Sequence, residues 1–113
     1  MVKITTIGNK VIFEVKGFHK FWALEDKITV DRKNIVDVYQ DAKAIKFWKG
    51  IRAPGTEIPG IIAAGTFYQN GKNFWDVTNK KNTIIVELQN ENYKKLYIDV
   101  ENPLQAIQLL KNQ

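Results

Sequence analysis

His19 is the only imidazole in the chain, and there is no cysteine. Acid–base or nucleophilic work by a histidine needs a carboxylate or a nucleophile within hydrogen-bonding reach. No Ser-His-Asp order and no G-x-S-x-G turn supplies one, so His19 reads as a surface or hydrogen-bonding residue. Without cysteine, thiolate zinc sites are excluded, and beside the one imidazole the carboxylates merely alternate with apolar strand residues. Neither an EF-hand loop nor H-E-x-x-H occurs. Asp37 and Asp41 could share a strand face, where solvation is the simpler reading. Gly50, Gly55, Gly60 and Gly65 recur every five residues. Around Pro54 and Pro59 that spacing reads as backbone turns rather than a phosphate cradle. The residues therefore predict a protein that is not an enzyme, with no cofactor and no metal.

What the chain does concentrate is recognition chemistry. Phe18, Phe21, Trp22, Phe47 and Trp48 fall between segments of strand character, together with Lys20, Lys46, Lys49 and Arg52. Loops are normally polar, and loop aromatics often touch something. Trp with Arg is the composition of interface anchors. The alternative is that long loops over a small core need apolar anchors of their own. Phe21 and Trp22, spaced for a helical turn with Phe18, fit that packing role.

The elements that must position these residues are mostly strands. Val11, Phe13 and Val15 alternate with Ile12, Glu14 and Lys16; Ile84, Val86 and Leu88 with Ile85 and Glu87; Leu96, Ile98 and Val100 with Lys95, Tyr97 and Asp99. Period two places one side of each run on a core. Further strands are predicted over 2–7, 27–31, 35–41, 61–69 and 72–78. Gly8-Asn9 and Asn70-Gly71 mark tight hairpins, the second being the strongest turn signal present. Near it, Phe67, Tyr68, Phe74 and Trp75 predict cross-strand aromatic pairs. Lys80, Lys81, Lys94 and Lys95 suggest a basic stripe over two turns, with a solvated edge as the plainer reading. The period changes at the end of the chain: Asn102 as N-cap, Pro103 at the first helical position and Gln105 three residues after the cap start a helix. Its predicted apolar face is Leu104, Ala106, Ile107, Leu109 and Leu110.

Composition sets the remaining bounds. The 113 residues make one domain, with no linker or repeat, and the 44% apolar content is enough for one core. The charge is +5, with two Arg among 17 basic residues, which favours anionic partners mildly. The first residues lack the charged start and apolar run of a signal peptide, and no stretch approaches a bilayer span, so a soluble cytoplasmic protein is expected.

The run Gly65-Thr66-Phe67-Tyr68, Asn70-Gly71 and Phe74-Trp75-Asp76-Val77 resembles a group of small bacterial pleckstrin-homology-like proteins, mostly uncharacterised. Thr83 to Leu88, Tyr93-Lys94-Lys95-Leu96 and the Glu101-Asn102-Pro103 helix start continue the likeness. Upstream, so do Gly17 to Leu24 and Trp48 to Thr56. The resemblance implies a mainly β fold: an antiparallel barrel of seven or eight strands capped by one C-terminal helix. In such a barrel 17–26, 42–60 and the turn 89–92 share one rim, with the helix at the other end. The expected binding surface is that rim, built from His19, Lys20, Trp22, Trp48, Lys49 and Arg52. Phosphoinositide-binding members carry an Arg in the basic cluster at the first hairpin; this chain has Lys16 and Lys20 and no Arg there. The expected function is a non-catalytic binding module for protein or peptide. The alternative is an anionic partner, either nucleic acid or an acidic membrane surface. Homodimerisation through open edges is also allowed by the sequence.

Overall fold

The computed structural model describes residues 1–16, 27–41, 51–58, 61–68, 70–77 and 80–111, with the backbone alone for 51–58, 61–64 and Lys80. The fold is mainly β, in two sheets with one C-terminal helix. Strands β1 (Val2–Ile7), β2 (Lys10–Val15) and β3 (Lys27–Asp31) form an antiparallel sheet in that order. The second sheet holds β4 (Ile35–Tyr39), β5 (Ile51–Ile58), β6 (Ile61–Tyr68), β7 (Lys72–Val77), β8 (Thr83–Leu88) and β9 (Lys95–Asp99). Its spatial order is β4-β8-β9-β7-β6-β5. Helix α1 (Pro103–Lys111) follows.

The alternating residues fill the space between the sheets. Val11, Phe13, Val15, Ile28 and Val30 of the small sheet meet Val38, Phe74, Ile84, Val86, Leu96 and Ile98 of the large one. α1 closes this core with Ala106, Leu110 and the partly buried Ile107. The large sheet is also buried on its far face, where Phe67, Trp75 and Val77 form a second cluster with Tyr97. Both faces of β7 are covered, so its residues Asn73 to Val77 are buried without a break, polar Asn73 and Asp76 among them.

The described strands form two open sheets rather than one closed barrel, and β7 pairs with β9 in parallel. β8, next in sequence after β7, lies on the far side of β9. The predicted loop over 42–60 contains a strand, β5, which pairs with β6 through two register shifts. Pro54 and Gly55 sit at these irregularities and hide the strand pattern, in keeping with its place at a sheet edge.

α1 begins as predicted. The Asn102 carboxamide oxygen accepts from the Gln105 N–H at 3.1 Å, which satisfies one of the free donors of the first turn. The buried stripe is narrower than expected. Leu104 is 69% exposed and Leu109 40%, because the docked positions 103, 106, 107 and 110 follow i, i+3, i+4, i+7 and leave both leucines on the flanks. Nor does the helix cap one end. Its start follows β9, while at its last turn the Leu109 carbonyl accepts from Arg32 Nη1 at 3.2 Å and Lys111 Nζ lies 3.4 Å from Asp37. It thus runs along the β4 side.

Candidate functional site

Of the expected rim, His19, Lys20, Trp22, Trp48 and Lys49 lie outside the described residues. Arg52 is placed by its backbone alone, opposite Phe67 in the β5–β6 register. The turn 89–92, expected on the same rim, instead adjoins the Asp31 end of β3 and the Ile35 end of β4. These are the opposite ends from those that 17–26 and 42–50 join, and the turn is held firmly there. Glu91 Oε2 accepts from the Asn34 amide at 2.6 Å and the Asp31 N–H at 3.1 Å. The Gln89 N–H donates to the Asn34 carbonyl at 2.9 Å. This turn therefore packs on the β3–β4 connection, the same segment that α1 reaches through Arg32. The predicted separation of turn and helix at opposite ends does not hold at the helix C-terminus.

Two smaller expectations resolve as well. Phe67 and Trp75 pair edge to face, with centroids 6.3 Å apart, while Tyr68 is exposed. The closest aromatic partner of Trp75 is one the sequence did not single out: Tyr97, stacked at 3.9 Å across the parallel pairing. The lysine stripe does not form. Lys80 and Lys81 precede Thr83, which pairs with Asp99, whereas Lys94 and Lys95 sit beside Glu87 at the other end of the β8–β9 ladder.

The far face carries a polar feature too. Tyr39 donates its hydroxyl to the Glu87 carboxylate. Burial, followed by that hydrogen bond, holds the Tyr39 phenol above its ordinary range, and burial raises Tyr97 similarly. Neither residue is part of a metal-type cluster; among the described residues no group of His, Asp and Glu is arranged to hold an ion.

The described feature with the dimensions of a binding site is a groove of about 890 Å³ between β1 and α1. Val2, Ile4, Val100, Ala106 and Leu109 give it apolar walls. Lys3, Lys16 and Glu101 stand at its polar margins. β1 is the outer strand of its sheet, so the groove runs beside an open edge. The Lys16 N–H donates to the Met1 carbonyl, and this fixes which pairs across β1 and β2 exchange hydrogen bonds. Pairs Lys3–Glu14, Thr5–Ile12 and Ile7–Lys10 share the parity of Met1–Lys16 and bond inward. The intervening residues Val2, Ile4 and Thr6 direct their N–H and C=O groups away from β2.

Charge is uneven on the solvent face of this sheet. Lys10 pairs with Asp31, and Lys16 with Glu14 at 3.0 Å. The Lys16 hydrogen bond, with its charge and those of Lys27 and Lys3 behind it, holds the Glu14 carboxyl below its ordinary range. Lys10 does the same for Asp31. Lys3 and Lys27 remain in excess over the two acids. At one end of the groove the Met1 amine lies 3.2 Å from Asp76 and 3.4 Å from Asp99, both buried carboxylates.

Nothing in the sequence marked this groove. Its walls come from opposite ends of the chain, and β1 alone reads as an ordinary alternating strand. In comparisons with known proteins, no family model, no curated protein and no solved structure matches the chain.

Proposed function

We propose that the protein is a non-catalytic binding domain for a segment of another protein, of the pleckstrin-homology-like kind that its motifs resemble. The observation that carries the binding reading is the groove between β1 and α1, apolar within and edged by Lys3, Lys16 and Glu101. Pockets of this volume, mostly apolar with a few polar groups, are the usual form of ligand sites. Support for the family comes from the quoted motifs and from a mainly β fold ending in one helix. The parallel β7–β9 pairing and the open sheets count against a simple barrel plan. The excess of lysine on the solvent face of the β1–β3 sheet, with Lys3 beside the groove, favours an anionic segment over a neutral one, which within the protein-or-peptide reading selects an acidic peptide.

The test is selection from a displayed random-peptide library, followed by hydrogen-exchange mapping of the selected peptides on the protein. The expected outcome is protection of Val2–Thr6 and Gln105–Leu109, with affinity reduced tenfold or more by Leu109→Glu. Leu109 is half-exposed on the groove wall, so this change leaves the core intact. Protection confined to 17–26 and 42–50, with loss in a Trp48→Ala, Arg52→Ala variant, would move the site to the aromatic rim. Failure to enrich any peptide overturns the reading.

A further inference from the structure

Four strand edges remain once the sheets are laid out: β1 and β3 of one, β4 and β5 of the other. Natural sheets blunt their edges to avoid foreign pairing, and three of these four are blunted. β4 carries a register shift between Ile35 and Asp37 and has Lys111 over Asp37. β5 shifts register twice and contains Pro54, which has no N–H to give. On β3 the Asp31 N–H is occupied by Glu91. β1 has none of these devices. Its six pairs with β2 run without a shift, it contains no proline, and among the described residues no strand lies along its outer side. The outward groups of Val2, Ile4 and Thr6 present three donors and three acceptors in register, directly beside the groove.

A second copy of this chain could pair with that edge about a two-fold at Ile4. That arrangement sets Lys3 diagonal to the Lys3 of its mate and brings two basic margins together, between chains of net charge +5 each. Like charges facing across a ladder are destabilising. A segment carrying carboxylates meets no such opposition. We propose that the β1 edge takes up an extended acidic segment of a partner protein as a fourth strand. Apolar side chains at alternate positions enter the groove against Val2, Ile4, Ala106 and Leu109, and the carboxylates between them face Lys3 and Lys16. Main-chain hydrogen bonds supply affinity in this mode, and the alternate pockets supply selectivity. The inference rests on the binding reading above and goes further, by fixing the strand, the backbone mode and the charge of the ligand.

The probe is a labelled, end-blocked decapeptide alternating Leu and Glu, followed by fluorescence anisotropy. Two companions have Lys for Glu, or N-methyl groups on every second amide in either parity. The expected result is saturable binding of the Glu peptide that weakens with salt, and at least tenfold weaker binding of the Lys peptide. Methylation should abolish binding in one parity and spare it in the other. Thr6→Pro removes an outward N–H without touching the ladder to β2, and should weaken binding tenfold or more while the circular dichroism melt stays two-state. If that variant does not fold, the methylated pair decides alone. Lys3→Glu should reverse the preference between Glu and Lys peptides. Equal binding by both methylated parities would overturn strand addition while leaving a groove ligand in place. No binding of the Glu peptide overturns the proposal, and enrichment of other peptides in the library selection then shows that the binding reading survives it. A wild-type dimer in analytical ultracentrifugation that Thr6→Pro dissociates would assign the edge to a second copy and overturn it as well.

Discussion

Glu91 is the point at which the β8–β9 turn is fastened to the rest of the fold, and its removal has a calculable effect. Its carboxylate accepts from the Asp31 backbone and from the carboxamide of Asn34, which is buried. Hydrogen bonds to a charged group contribute about 1.5–3 kcal/mol each, and a buried donor left without its acceptor costs about 1–3 kcal/mol. Glu91 itself is half-buried, so water replaces part of what is lost and the lower figures apply. Glu91→Ala should therefore cost about 2 kcal/mol, which for a domain of this size is a fall in Tm of roughly 8 °C. Urea unfolding of Glu91→Ala, Asn34→Ala and the double variant isolates the pair. The coupling between them should be about 1 kcal/mol, in the range of residues that touch. A single-variant loss below about 0.5 kcal/mol, or a coupling indistinguishable from zero, would refute the view that this turn is held by Glu91 rather than by the backbone bond from Gln89 to Asn34.

Other consequences are as direct. Leu110→Ala empties a fully buried site under α1 and should cost about 2–5 kcal/mol in chemical unfolding. Asn102→Ala removes the N-cap bond and should cost about 1 kcal/mol, with faster exchange of the Gln105 amide. Gly71 has φ +123°, and a Cβ there would stand 2.8 Å from Lys94 Cδ; Gly71→Ala should cost about 1–3 kcal/mol by thermal melt. The Asp31 carboxyl, lowered by the Lys10 hydrogen bond and charge, should titrate below 3.8 by carbon NMR and return towards 3.8 in Lys10→Met. A carboxylate whose folded pKa is depressed stabilises above its unfolded value and loses that contribution as pH falls through the folded one. Lys10 is raised by the same contact, so its share is complete below 10.5 and fades above it.

What the sequence revealed was what is decided locally. Alternation located β2, β8 and β9 because one side of each faces a single core. Asn70-Gly71 marked its turn because both residues adopt positive φ. Asn102 marked its helix because the cap bond spans only three residues. What stayed hidden depends on distant partners. β5 lost its signature to Pro54 and Gly55. β9 gives no sign that it lies parallel to β7, because strand direction in a sheet is fixed by the path of the chain and not by side-chain pattern. Leu104 and Leu109 looked buried because periodicity gives the width of an apolar arc but not which part of it docks. The groove was invisible for the same reason: Lys3 and Ile4 meet Ala106 and Leu109 only after both sheets have packed.

The threading of β9 between β7 and β8 bears on how the chain is made. During synthesis β4 can meet β8, and β5, β6 and β7 can form a ladder, but no strand pairing joins these halves until residues 95–99 have left the ribosome. Until then Leu96 and Ile98 are missing from the centre of the core, and β7 and β8 each present an unsatisfied inner edge. A nascent chain in that condition is open to mispairing, and the contacts that rescue it are distant ones, which form slowly. Joining of the large sheet should therefore wait for this five-residue strand, and a nonsense codon before Lys95 should leave β7 and β8 without the strand that pairs with both, read as loss of a cooperative urea transition.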